Sequence, residues 1–287
     1  MDNIYCPKKN ISIDESMMLW KGRLVFRQYV KNKRHKYGIK FYELCESDGI
    51  VLKVKIYSGE TTLGKHLLGQ TGAFVLDLME KLLGNGYHLY TNNFYNSFEL
   101  TKHMVNQKTY ICGTLRTDRK SNPNKCTKAK LKQEDVISRS REGVVVAKWK
   151  DKRDVLMISN LQMIEVTNRR GEKKMKPNII KDYKQCMSGV DRVEQMVSYY
   201  NCLRKTVRWY KKVALNLFDT FLFNAYCLNR KYGLDKTISL LKFRELNVTD
   251  LLGERLNEIE PRITNNSFHY LSSIPPNEKK KFPTKPC

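Results

Sequence analysis

The sequence lacks the marks of a membrane protein, a secreted protein or a zinc module. No apolar run reaches the ~18 residues that a membrane span needs. The richest, Val213 to Leu228, is interrupted by Asn216, Asp219 and Asn224 and predicts a buried helix. No apolar stretch follows Lys8 and Lys9, so no secretion signal is expected at the start. The eight cysteines contain no CxxC pair, which argues against zinc within the chain. Their scatter fits a reducing cytosol or nucleus. No glycine-rich phosphate loop is present, so nucleotide is not an expected partner. Acid is scarce too: 29 Asp and Glu face 53 Lys and Arg, a net charge of +24. Such an excess points to a polyanion, most simply nucleic acid. An apolar fraction of 41%, with 16 Tyr and 11 Phe, excludes a disordered basic chain. A length of 287 residues suits one large or two modest domains.

The first half alternates strand and helix patterns. Ile11–Asp14 is a short strand ending in a carboxylate. YGIKFYELCE and IVLKVKIY are β-rich runs separated by Ser-Asp-Gly, a hairpin signal. Phe74, Val75, Leu78, Met79, Leu82 and Leu83 recur at helical spacing, and Gly84-Asn85-Gly86 ends that helix. A strand over 87–91, a helix capped by Asn96 or Ser97, and a strand over 109–115 follow. The order β-β-β-α-β-α-β predicts an α/β fold with a ribonuclease H-like mixed sheet flanked by helices. Residues 1–115 form its first part. Residues 116–182 read as a basic, β-rich insertion with strands near 143–149, 155–159 and 163–167. Residues 183–203 return to the core with a final helix, and 204–260 form a helical C-terminal region. Residues 261–287, with Pro275-Pro276 and three lysines, read as a linker.

In such a layer, two-metal phosphodiester chemistry needs clustered carboxylates on the first strand, after the following parallel strand, and on a late helix. Asp14 fills the first place and Asp191 the third. The second holds Asn92 and Asn93, and no acid. Without further context, Asp14 is equally a strand-end acid, and Asp191 an acid favoured by its helix dipole.

The blocks ISIDESMMLWKGRLVFRQYVKNKRHKYGIKFYELCES, GYHLYTNNFYNSFELTKHM, TYICGTLRTDRK, WKDKRDVLMIS and YKQCMSGVDRVEQMVSYYNCLRKTVRWYKK resemble, in order, those of the piggyBac transposase family and the proteins derived from it. The resemblance runs from about residue 10 to about residue 235. It implies a catalytic, metal-binding triad at Asp14, Asn92 and Asp191, with Glu15, Gly22 and Arg23 around the first. The family is Mg²⁺-dependent and cuts and pastes DNA at TTAA through hairpin ends. Asn92 stands where the family has its second Asp, which removes a charge and acceptor capacity from a metal site. Ser188 and Glu194 are milder departures, and Arg34 stands where a proline usually precedes His35.

The resemblance further implies that the chain is the middle of a longer transposase. An upstream region and a Cys-rich zinc module beginning near Cys287 would be missing. DNA is the expected partner, a homodimer is possible, and a nuclear location follows. Arg116, Arg119 and Lys120 form one candidate DNA-binding cluster. Arg204, Lys205, Arg208, Lys211 and Lys212 form another, interleaved with Trp209 and Tyr210, Trp209 being expected to pack. Three classes remain open: a cleavage-defective DNA-binding relative, an active Mg²⁺-dependent enzyme in which Glu15, Glu194 or a nearby acid substitutes for the missing one, and a structural or decayed protein. Against substitution by Glu15 stands the strand alternation that sends it to the opposite face from Asp14.

Overall fold

In a computed structural model, residues 5–31, 33–59, 68–160 and 177–253 are described. The predicted strand at 163–167, the linker and Cys287 lie outside them. Contacts divide the chain into two compact units, Met1–Leu241 and Lys242–Cys287. The described part of the second is helical, within a helix spanning Leu240–Leu252. No described helix is long and apolar enough to cross a membrane.

The first unit is built on one mixed sheet. Its strands are β1 (Asn10–Leu19), β2 (Gln28–Tyr29), β3 (Tyr37–Glu46), β4 (Val51–Ile56), β5 (His88–Thr91), β6 (Tyr110–Thr114), β7 (Val136–Arg141), β8 (Val144–Lys150) and β9 (Asp154–Ser159). The central order is β4-β3-β1-β5-β6, with β1, β5 and β6 parallel and β3 antiparallel to β1. This is the predicted ribonuclease H-like sheet. Strands β9, β8 and β7 continue it beyond β6 as an antiparallel extension.

Helices cover both faces because successive strand residues alternate between two apolar sets. Ile11, Ile13, Leu89 and Ile111 pack on Phe74, Val75 and Leu78 of α1 (Gly69–Met79) and Leu100 and Met104 of α2 (Phe98–Asn106). Ser97 caps α2, its hydroxyl accepting the Leu100 N–H at 3.2 Å. The short α3 (Asn124–Thr127) buries Cys126 against β8. On the opposite face, Tyr90 and Cys112 pack on Ile179 and Ile180 of α4 (Asn178–Cys186). Helix α5 (Gly189–Tyr199) starts so close to the sheet that a Cβ on Gly189 would collide with the Glu46 carbonyl oxygen of β3 and crowd the Ser12 hydroxyl of β1. Helix α6 (Trp209–Tyr232) seats Val213 and Leu217 against Met18, Ile39 and Phe41. Trp209 packs edge-on to Phe26, as expected of it. Asn224 of α6 clamps Val51, accepting its N–H at 2.9 Å and donating to its carbonyl at 2.8 Å.

Candidate functional site

Strand β5 ends opposite Ile13, so Asp14 is the first β1 residue beyond the parallel pairing. Past that point no strand among the described residues pairs with β1 on this side, and a crevice opens at the carboxyl ends of the parallel strands, the usual ligand position in open α/β sheets. Asn92 follows β5 directly and fills the crevice. Its Nδ2 donates to Asp14 Oδ1 at 2.8 Å and to Glu15 Oε2 at 3.3 Å. Its Oδ1 accepts the Phe94 N–H at 2.8 Å. The amide is therefore oriented by both ends: the oxygen is used by the backbone, and the nitrogen faces the acids.

The expectation that Glu15 points away from Asp14 is overturned here. The backbone alternation does hold, with Asp14 opposite Glu43 and Glu15 opposite Tyr42 across the β1–β3 ladder. Because β5 has ended, however, both carboxylates reach the same amide from the two sides of the sheet. Burial, and next the neighbouring Glu15, push the Asp14 pKa up to about 8. Burial works to raise that of Glu15 as well, but Asp14 and the Lys40 ammonium outweigh it and hold Glu15 below the ordinary value. Two carboxylates this close resist ionising together, so the pair as a whole favours holding one proton between them.

Two lysines supply further positive charge. Lys40 lies 3.3 Å from Glu15 Oε1, and its ammonium sits over the rings of Tyr42 and Phe94. Lys33 lies 3.2 Å from Glu194 Oε2 and 3.6 Å from Asp191 Oδ1, and its charge also acts on Asp14. Its three carboxylate neighbours offset the burial of the ammonium and raise its pKa. Glu194 is held from its other oxygen by the Met17 N–H at 2.9 Å. Asp191, in the first turn of α5, is mostly solvent-exposed and makes its ion pair with Lys33. Glu43 accepts the Ser16 hydroxyl at one oxygen, while the other is buried without a hydrogen-bond partner. Burial raises its pKa to about 7.

The structure thus brings Asp14 and Asn92 into contact and links Asp191 to Asp14 only through the field of Lys33. Among the described residues no three acidic, His or Cys side chains are grouped to hold a metal ion. The donor chemistry agrees: a hard cation wants oxygen ligands, and Asn92 offers N–H bonds. The residues do not fit a bound Mg²⁺ pair. Glu15 as a convergent acid, Glu43, Lys33 and Lys40 were missed by sequence reasoning. The β1–β3 register would have revealed Glu43 opposite Asp14, but the seventeen residues between these strands leave that register unset.

Of the nominated basic residues, Arg116 makes a two-pronged pair with Asp118 at 3.1 and 2.8 Å. Arg119 donates to the Phe94 carbonyl, beside the Asn92 turn. With Lys120 they border a cleft of about 420 Å³ at the start of α2. Arg204, Lys205, Arg208 and Lys211 are exposed around the start of α6. Lys212 turns inward, donating to the Leu19 carbonyl at 2.7 Å, and burial lowers its pKa.

The family profile described as Transposase IS4 matches residues 1–226. PiggyBac transposable element-derived protein 3 of Homo sapiens is 28% identical over 267 residues, covering 87% of this chain and 45% of that protein. PiggyBac transposable element-derived protein 2 of Homo sapiens is 25% identical over 251 residues, covering 81% and 42%. A cryo-EM structure of a piggyBac transposase synaptic complex with hairpin DNA superposes with a TM-score of 0.80 at 23% identity, covering 91% of this chain and 56% of that one. The chain spans less than half the length of these two human relatives.

Proposed function

The chain belongs to the piggyBac-type Transposase IS4 family, and we propose that it is a transposase-like DNA-binding protein that does not cleave DNA. One observation carries the second half: the Asn92 amide nitrogen occupies the point between Asp14 and Glu15 where a metal-holding site needs an acceptor. Lys33 and Lys40 then neutralise the remaining acids from within. Two built-in ammonium groups thus offset most of the negative charge that an added cation would otherwise balance.

DNA binding is supported by the net charge of +24 and by the exposed cations Arg204, Lys205, Arg208 and Lys211. That the matched piggyBac transposase structure is a complex with hairpin DNA agrees with it. A nuclear location is part of this proposal, since it rests on the DNA-bound role. Affinity for duplex DNA should fall steeply between 50 and 200 mM salt, by about 10³-fold or more where six phosphates are engaged. A chain that binds no duplex at 50 mM salt overturns the first half of the proposal. Turnover of a TTAA-flanked hairpin with Mg²⁺ or Mn²⁺ overturns the second.

One observation favours a second reading, an active enzyme. Glu15 reaches the crevice beside Asp14, and is placed to supply the acid that Asn92 does not. The same hairpin assay separates the readings, because nicking that is lost in Glu15→Gln would establish the substitution.

A further inference from the structure

The stretch from Ser16 to Tyr42 carries eight Lys and Arg and no Asp or Glu. Within it lies the β2–β3 hairpin, closed by the Val30 N–H on the Lys36 carbonyl at 2.9 Å. Tyr29 and Tyr37 are directly opposite across its strands, with ring centroids 4.8 Å apart. Strand alternation puts Tyr37 on the same face of β3 as Ile39 and Phe41. Those two are buried with Val213 of α6. The tyrosines escape that cover: Tyr29 is 54% exposed and Tyr37 51%. The Arg27 guanidinium lies over the Tyr37 ring, 5.7 Å from its centroid. It is fixed there by donating to the Lys21 and Gly22 carbonyls at 2.9 and 3.2 Å. Among the described residues Tyr29 meets no ring but that of Tyr37, so it is the open end of the row. The rings are held in place and left uncovered.

A cross-strand tyrosine pair also steadies a hairpin, but any apolar pair does so, and from a covered position as well as an open one. Open rings amid cations match a ligand with both flat apolar faces and negative charge. In a duplex the base faces are stacked on one another, and a protein meets phosphates, sugars and base edges. An unpaired base presents its face, and aromatic side chains hold such bases by stacking. The hairpin also reaches the crevice. Lys33, in its turn, pairs with Glu194 and Asp191.

We propose that Tyr29 and Tyr37 form a stacking platform for an unpaired base of a DNA strand, with Tyr29 carrying the base and Tyr37 and Arg27 backing it, at the approach to the Asp14–Asn92 crevice. The inference rests on the DNA-binding reading above. It adds what cations alone do not give, a dependence on an exposed base at one place.

The test uses the full chain and three labelled probes in fluorescence anisotropy: a short oligothymidylate, the same strand with abasic sugars in place of nucleosides, and a duplex of equal length. The unmodified chain should bind oligothymidylate about tenfold or more tightly than the abasic strand. The variant Y29A/Y37A should lose that difference and bind the duplex within about twofold of the parent, with an unchanged salt slope, because every cation is retained. Y29F/Y37F should keep the parental affinities. Y29L/Y37L, which keeps an apolar cross-strand contact without a flat ring, should behave as the alanine pair, and decides the matter where the alanine pair melts lower than the parent. Equal binding of the abasic and base-bearing strands by the unmodified chain overturns the proposal. So does a base dependence that survives in the alanine and leucine pairs. An equal loss on all three probes also overturns it, marking the tyrosines as supports of the hairpin while leaving DNA binding intact. Binding of no probe at all overturns both this proposal and the reading it rests on.

Discussion

Replacing Asn92 by Asp tests the electrostatic reading of the crevice. The amide donates to Asp14 and Glu15 at 2.8 and 3.3 Å. In Asn92→Asp the donor becomes an oxygen at the same distance. Two unit charges about 3 Å apart repel by about 5 kcal/mol at an effective dielectric constant near 20. The variant can escape by keeping a proton on the new acid. At pH 7 that costs about 4 kcal/mol, from an ordinary Asp pKa of about 3.9 and about 1.4 kcal/mol per unit. A net loss of about 3–4 kcal/mol follows, a fall in Tm on the order of 5–10 °C for a chain of this size. The sign with pH is fixed by linkage. The new acid has a raised pKa in the folded state, so its penalty is absent below the unfolded value of about 4 and grows as pH rises. At pH 5 the same proton costs only about 1.5 kcal/mol. Mn²⁺ or Mg²⁺ at a hundredfold excess over its Kd would return about 2.7 kcal/mol to the variant. The assay is thermal melting at pH 5 and pH 7, each with EDTA and with Mn²⁺. If the variant melts with the parent at pH 7 in EDTA, or Mn²⁺ raises both equally, the account of Asn92 as an internal substitute for a cation is wrong.

Other consequences are open to simple measurement. Lys33→Met leaves Asp191 and Glu194 without their cation, so the variant should lose about 1–3 kcal/mol and gain stabilisation by Mn²⁺ that the parent lacks; an unaltered melting curve would contradict this. Asn224→Ala strands the N–H and carbonyl of Val51 and should cost about 2–4 kcal/mol in urea unfolding, whereas a loss below about 0.5 kcal/mol would mean that α6 is not held by this clamp. Asp14 and Glu43, with folded pKa values near 8 and 7, keep protons that the unfolded chain releases earlier. Their contribution to stability is full near pH 4 and lost as pH rises to about 8, and Glu43→Gln should flatten the decline below pH 7. Gly189→Ala would press a methyl into the Glu46 carbonyl and should lower Tm by several degrees; a tolerated alanine would refute the close approach of α5 to the end of β3.

Much of the fold was legible because the local rules agree with the global ones. The apolar period from Phe74 onward, the Ser97 cap and the alternation of Ile11 with Ile13 each name a face that the sheet then buries. What escaped were elements with weak periods. Val136–Arg141 is exposed at every residue but Ile137, the one apolar side chain by which it packs on the cluster beneath β8. Helix α4 lies too close before α5 to be separated by pattern. The site was legible as positions, because Asp14, Asn92 and Asp191 fall at strand and helix ends, but not as chemistry. Alternation assigns Asp14 and Glu15 to opposite faces, and it is right about their backbones. It fails for their tips because β5 stops one residue too early to keep the faces apart. A carboxylate on a three-bond stem then reaches around the open edge to the same amide as its neighbour. Strand alternation therefore sorts side chains only where both flanking strands continue. At the carboxyl end of a parallel strand, where ligand sites lie, consecutive residues can share one site. The Asp14–Glu15 pair and the two lysines facing it follow from that ending, which no periodicity within β1 could signal.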